Sequence, residues 1–78
     1  MALRQPYKVL DRTRSVKKGV MAANLQEFVD RGKEKLGYDG NIDVYAVLEE
    51  DGTEVDEDDY FQTLPSNTTL MLLYINDR

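Results

Sequence analysis

The sequence predicts an α+β fold in the order ββαββαβ, with one long helix laid on a mixed sheet. Three observations lead there. The clearest helical periodicity begins at Asn24, and short β-prone stretches separated by turn residues lie on both sides of it. The last of these, residues 68–75, is a continuous β-prone run of the kind found inside a sheet. The 78 residues are read as one domain, 1–78, with one core and little chain left to wall a deep substrate cavity.

Residues 7–11 form the first β-prone stretch, Arg12, Thr13 and Arg14 a polar link, and residues 15–21 the second, so the chain opens with a hairpin. Gly19 interrupts the alternation between Val16 and Val20. A bulge is expected there, which leaves open how Lys17 faces relative to Lys18. Leu25, Phe28, Val29, Gly32 and Leu36 then share one helical face, with Asn24 and Glu27 in capping-box spacing. Arg31, Lys33 and Lys35 suit the negative end of the helix dipole, and Gly37 suits the position after it. Gly32 costs about 1 kcal/mol of propensity relative to Ala, which makes sense if the helix lies close on a sheet there.

Residues 42–48 read as a strand, Asp51 and Gly52 as a tight hairpin turn, and Glu54 with Val55 as a short return strand. Asp56 is expected to cap a short helix whose first turn is all carboxylate, and Pro65 to stop it. The layout is that of a ubiquitin-like β-grasp roll, a mixed sheet covered by one main helix. The expected core is one apolar layer: Val9, Val16, Val20, Leu25, Phe28, Val29, Leu36, Leu48, Val55, Phe61, Leu64, Leu70 and Leu72.

With no cysteine and no histidine, the chain lacks a disulfide scaffold, a thiol nucleophile, thiolate or imidazole metal ligands, and the usual neutral-pH proton shuttle. Ser15 and Ser66 have no histidine to activate them, and nothing is expected to raise a carboxylate pKa in the polar acidic loop. The calcium-loop template, aligned on Gly52, puts Val47 at the first ligand position; aligned on Gly40, it puts Lys35 there. No enzyme activity, cofactor, metal site or small-molecule substrate is therefore expected. The start of the chain shows no signal-peptide core and the longest apolar run is too short to span a bilayer, so an intracellular place, cytoplasmic and/or nuclear, is expected. Asn67, Thr68 and Thr69 match a glycosylation sequon but read as a turn before a strand.

Charge is the most informative bulk property. The net charge is −5, yet residues 1–35 hold nine of the ten Lys and Arg against four acids, and residues 36–78 hold one against eleven. A nucleic-acid or membrane surface would suit the basic part. Against nucleic acid, only Tyr7 is interleaved among those bases as a stacking platform, and the domain as a whole is acidic. Lys8, Arg14, Lys17 and Lys18 belong to the first hairpin. Glu50, Asp51, Asp56, Glu57, Asp58 and Asp59 belong to the later turn and short helix. Opposite patches on different faces complement a copy of the same molecule head to tail, and such a contact builds rings or open filaments.

Four segments carry a family resemblance: residues 6–11, residues 14–20, the Leu-Glu-Glu-Asp-Gly-Thr-x-Val-Asp core at residues 48–56, and the acidic helix with Tyr60 and Phe61 running to Pro65. They resemble the CIDE-N domain, also called the CAD domain, of the DNA fragmentation factor and cell-death-inducing effector family, with insect members related to DNA fragmentation factor the most similar. The resemblance implies a ubiquitin-like module that pairs with other CIDE-N domains, its own kind or a related nuclease or inhibitor, in regulating apoptotic DNA fragmentation. It implies a basic face at Lys8, Arg14, Lys17 and Lys18, and an acidic face at Glu50, Asp51, Asp56, Glu57, Asp58 and Asp59. It also implies homo-oligomers, filaments in some members, and a longer parent protein with this module at its N-terminus. A scaffold module of the Phox-and-Bem type is the rival reading, but its acids alternate around a turn, whereas these are consecutive and enter a helix. A ubiquitin-type modifier would need a diglycine where Asn76, Asp77 and Arg78 stand.

Overall fold

The two opening strands, β1 (Gln5–Leu10) and β2 (Lys17–Ala22), form the expected hairpin, and their register runs from Gln5 opposite Ala22 to Leu10 opposite Lys17 without a skipped residue. The bulge expected at Gly19 is absent. A slip of one residue would turn Val20 and Ala22 away from Tyr7 and the helix, so the buried face holds the register through the glycine. The structure, a computed structural model, describes residues 3–77. Met1, Ala2 and Arg78, which entered the charge and leader readings, lie outside the described residues.

Helix α1 (Leu25–Leu36) follows, then β3 (Val44–Leu48), β4 (Glu54–Val55), the single-turn helix α2 (Asp58–Phe61), β5 (Thr69–Tyr74) and a closing 3-10 turn at Ile75–Asp77. The five strands lie in the order β2-β1-β5-β3-β4, with β1 and β5 parallel and the other pairs antiparallel. The fold is thus the expected ββαββαβ arrangement, a mixed sheet with one main helix.

The ends of α1 follow its sequence. The Asn24 side chain accepts the Glu27 N–H, and the Glu27 carboxylate reaches back to the Ala23 N–H at 2.7 Å, one residue before the cap. At the other end Gly37 adopts φ 74°; its N–H and that of Tyr38 bond the carbonyls of Glu34 and Lys33, a Schellman close. Gly32 lies against the sheet as its place in the apolar stripe implied. A Cβ there would come within 2.8 Å of Leu72 Cδ1 and 3.3 Å of Val9 Cγ2.

Helix α2 departs from expectation at its start. Glu57, not Asp56, is the cap residue and its side chain makes no capping bond. A single turn held by the buried Phe61 underneath does not depend on its own cap.

The main core lies between α1 and the sheet, with Phe28, Phe61, Leu70, Leu72 and Val9 fully buried. Tyr7, Phe28 and Phe61 pack as a triangle with ring centroids 4.7–5.8 Å apart. Tyr7, Ala22 and Ala46 join this core beyond the expected set, and Val16, expected in it, is only half-buried. The single layer is also incomplete. Leu10, Val47 and Met71 form a second cluster on the opposite face of the sheet, flanked by Tyr45 and Leu73.

Candidate interaction surfaces

Lys8 stands in the middle of β1 and Lys17 and Lys18 begin β2, all three exposed. Strand alternation puts Lys17 on the open face, level with Leu10, and Lys18 on the helix side, level with Val9; Lys8 is on the open face opposite Gly19. The two adjacent lysines thus point to opposite faces of one edge strand. None of these three side chains has an ion pair or hydrogen bond among the described residues.

Arg14 differs from the lysines. It sits in the β1–β2 turn at φ 63°, in a loop closed by Asp11, whose Oδ1 accepts the N–H groups of Ser15 at 2.7 Å and Val16 at 3.2 Å. Desolvation works to raise the Asp11 carboxyl pKa, but these bonds with those from Thr13 and Arg14 outweigh it and hold the group below its usual range. From this turn the Arg14 guanidinium reaches Glu49 Oε1 at 3.4 Å, 35 residues on. Glu49 was not among the expected site residues.

On the acidic side, Glu50 and Asp51 lie in the link between β3 and β4, Asp56 and Glu57 between β4 and α2, and Asp58 and Asp59 in the first turn of α2. All six are exposed. Asp51 is tied to the turn: its Oδ1 accepts the Thr53 N–H at 3.0 Å, and that bond with the one from the Thr53 hydroxyl keeps its carboxyl below the usual range. Asp58 has a further task. Its Oδ1 accepts the Leu25 N–H at 2.8 Å, and Gln62 Nε2 bridges from Asp58, at 3.3 Å, to the Ala23 carbonyl, at 2.9 Å. Helix α2 is thereby latched to the start of α1.

The lysines belong to β1 and β2 at one end of the strand order, whereas Glu50, Asp51, Asp56 and Glu57 flank β4 at the other. Asp58 and Asp59 sit on α2, which is tied to the start of α1 just after β2. Arg14 is the member brought against an acid. No group of three or more His, Cys, Asp or Glu among the described residues is arranged to hold a metal ion. A concavity of about 410 Å³ is an open groove between α1 and β3–β4, with Leu25, Val29, Asp30, Val44, Val55 and Asp56 among its lining residues. No helix among the described residues is long and apolar enough to cross a membrane.

The fold agrees with the outcome of comparison with known families, where the CIDE-N domain matches residues 4–78. The chain belongs to the CIDE-N family. CIDE-N domains are non-catalytic interaction modules. This CIDE-N domain is 44% identical over 69 residues to human lipid transferase CIDEB, a match covering 88% of the chain and 31% of that protein. It is 44% identical over 61 residues to mouse DNA fragmentation factor subunit alpha, covering 77% of the chain and 18% of that protein. The chain therefore spans about a third or less of these relatives.

Among solved structures, the Drosophila DREP2 CIDE domain superposes with a TM-score of 0.88 at 43% identity, covering 92% of this chain and 90% of that one. The heterodimeric complex of the CAD domains of CAD and ICAD matches with a TM-score of 0.80 at 38% identity, covering 90% of this chain and 71% of that one. That complex is direct evidence that CIDE-N domains bind one another.

Proposed function

We propose that this CIDE-N domain associates head to tail with copies of itself and with related CIDE-N domains. A basic side (Lys8, Arg14, Lys17, Lys18) meets an acidic side (Glu50, Asp51, Asp56, Glu57, Asp58, Asp59) of the next molecule. The observation that carries this reading is the distribution of partners: Lys8, Lys17 and Lys18 have none within their own chain among the described residues, while Glu50, Asp51, Asp56 and Glu57 flank β4 at the other end of the strand order and Asp58 and Asp59 follow on α2. Arg14 and Asp58 contribute less directly, because each already bonds its own chain.

Such a contact uses different surfaces on the two molecules, so it does not close on itself as a two-fold dimer would; it builds homo-oligomers that are rings where the rotation closes and open filaments where it does not. The domain acts as the N-terminal module of a longer intracellular protein, in the cytoplasm and/or nucleus. Similarity to DREP2 and to DNA fragmentation factor subunit alpha supports a role in regulating apoptotic DNA fragmentation. The pairing itself would serve the lipid-transferase relatives equally.

Two charge-reversed variants test the association. Lys17→Glu with Lys18→Glu removes the basic side, and Glu57→Lys with Asp59→Lys removes the acidic side while leaving the Asp58 latch intact. Each alone is monomeric by light scattering; an equimolar mixture retains one complementary pair and gives a dimer that dissociates as salt rises. Large assemblies in either variant alone, or no dimer in the mixture, would reject the reading.

A further inference from the structure

We infer that the head-to-tail contact has an apolar centre: the Tyr60 ring of one copy lies on the bare backbone of Gly19 in the next, in a notch between Lys17 and Met21. The inference rests on the association proposed above and adds to it the residues that fix its register. Each charged side carries one exposed large apolar residue, Tyr60 at 43% exposure among the acids and Met21 at 46% on the lysine-bearing strand.

The notch follows from strand alternation. Lys17, Gly19 and Met21 share the open face of β2, with Lys8 directly across from Gly19 on β1. Lys17 and Met21 are four residues apart, about 13 Å, with Gly19 midway. Gly19 is exposed, and a Cβ built on it meets nothing within 4 Å. A glycine in a strand weakens it and often marks a place where another group comes close to the backbone. The buried register does not need a glycine here, and packing within the chain offers no reason for one.

Tyr60 is suited to fill that space. Its neighbour Phe61 is fully buried, the Tyr60 carbonyl accepts the Thr63 N–H at 3.0 Å, and Asp58 pins the turn to α1, so the ring is presented by a fixed support. On Gly19 it would have the Met21 thioether at its edge and the ammonium groups of Lys8 and Lys17 close by, both favourable to an aromatic ring. Asp56, Glu57 and Asp59 would surround it as a polar rim. Exposed ion pairs contribute little one by one, and contacts between proteins draw most of their strength from a desolvated aromatic centre inside such a rim.

The test uses the complementary pair described above. Tyr60→Ala or Tyr60→Phe is added to the copy carrying Lys17→Glu and Lys18→Glu, and Gly19→Gln to the copy carrying Glu57→Lys and Asp59→Lys; affinities are read by titration calorimetry. Tyr60→Ala and Gly19→Gln each weaken pairing by about tenfold or more, Tyr60→Phe leaves it within about threefold, and combining Tyr60→Ala with Gly19→Gln costs little more than either alone. Gly19→Gln keeps the parent's circular dichroism and urea midpoint, which separates blockage from misfolding. If the parent pair dimerises but Tyr60→Ala or Gly19→Gln leaves its affinity within twofold, or if their effects add in full, the apolar centre is overturned and the charged association stands. If the parent pair does not dimerise, both fall together.

Discussion

The carboxylate of Asp58 accepts the backbone N–H of Leu25 at 2.8 Å, so one residue of the acidic helix satisfies the first turn of the main helix 33 positions earlier. The opening N–H groups of a helix have no partner within it, and a side-chain acceptor from elsewhere serves as well as a local cap. Asp58 and Asp59 are adjacent, both exposed and both acidic, yet their substitutions should differ in kind. Asp58→Ala is expected to lower stability by about 1 kcal/mol, read from the urea midpoint. Asp59→Ala should stay within about 0.5 kcal/mol of the parent and act only on association. Equal midpoints for the two variants would contradict the latch.

Acid sensitivity should centre on Glu27. The Arg4 guanidinium bonds both its oxygens at 3.1 and 2.9 Å, the Ala23 N–H bonds one of them, and the charges of Arg4 and Arg31 act in the same direction, bringing its pKa from 4.5 to about 2 against a smaller opposing effect of burial. A carboxyl with a depressed folded-state pKa stabilises the protein fully above its unfolded value and loses that contribution as pH falls through the folded one. The loss therefore occupies the window from about pH 4.5 to about pH 2. Asp11 and Asp51, also lowered, act with the same sign. Urea midpoints measured from pH 7 down to pH 2 should fall less steeply in Glu27→Gln than in the parent, and parallel curves would count against the arrangement.

Gly32 and Gly19 offer a contrast in what a glycine is for. At Gly32 the helix touches the sheet, and the branched side chain of Gly32→Val would drive into Leu72 and Val9, both fully buried. The expected loss is about 3 kcal/mol, since overpacking a filled core typically costs about 1–3 kcal/mol and a β-branched residue gains little helix propensity in return. At Gly19 the space is open, so Gly19→Thr should leave the thermal midpoint unchanged or raise it. Thermal unfolding of the two variants beside the parent checks both signs.

What could be read from the chain alone divides by distance along it. The face of α1, its Asn24 and Glu27 start and its Gly37 end were legible because each signal lies within a few residues of its partner. The second apolar cluster was not: residues 68–75 read as a continuous β-prone run, and such a run does not show which face Met71 takes. Tyr7 and Ala46 were overlooked for a related reason, since an aromatic near the chain start and a small residue carry little pattern of their own. Asp58 with Leu25 and Arg14 with Glu49 join residues 33 and 35 apart, and only the folded chain brings them together. Gly19 was misread because a local rule for glycine in strands gave way to the apolar face shared by Tyr7, Val9, Val20 and Ala22.

The pairing of Arg14 with Glu49 leads to a ranking within the basic side. An exposed ion pair at 3.4 Å adds only about 0–1 kcal/mol to stability, but it leaves the guanidinium less available to a second molecule and places a carboxylate beside it. Lys17 has no such neighbour among the described residues, so the whole of its charge faces outward. Lys17→Ala is therefore expected to weaken pairing with a copy carrying Lys17→Glu and Lys18→Glu more than Arg14→Ala does, when each is introduced beside Glu57→Lys and Asp59→Lys. Adding Glu49→Gln to the otherwise intact basic side should strengthen the contact, because it frees Arg14 and removes a like charge from the path of the incoming acids. Affinities measured at two salt concentrations decide the matter: the Lys17→Ala deficit should shrink as screening grows, and a larger deficit for Arg14→Ala at low salt would mean that its bond to Glu49 opens on association.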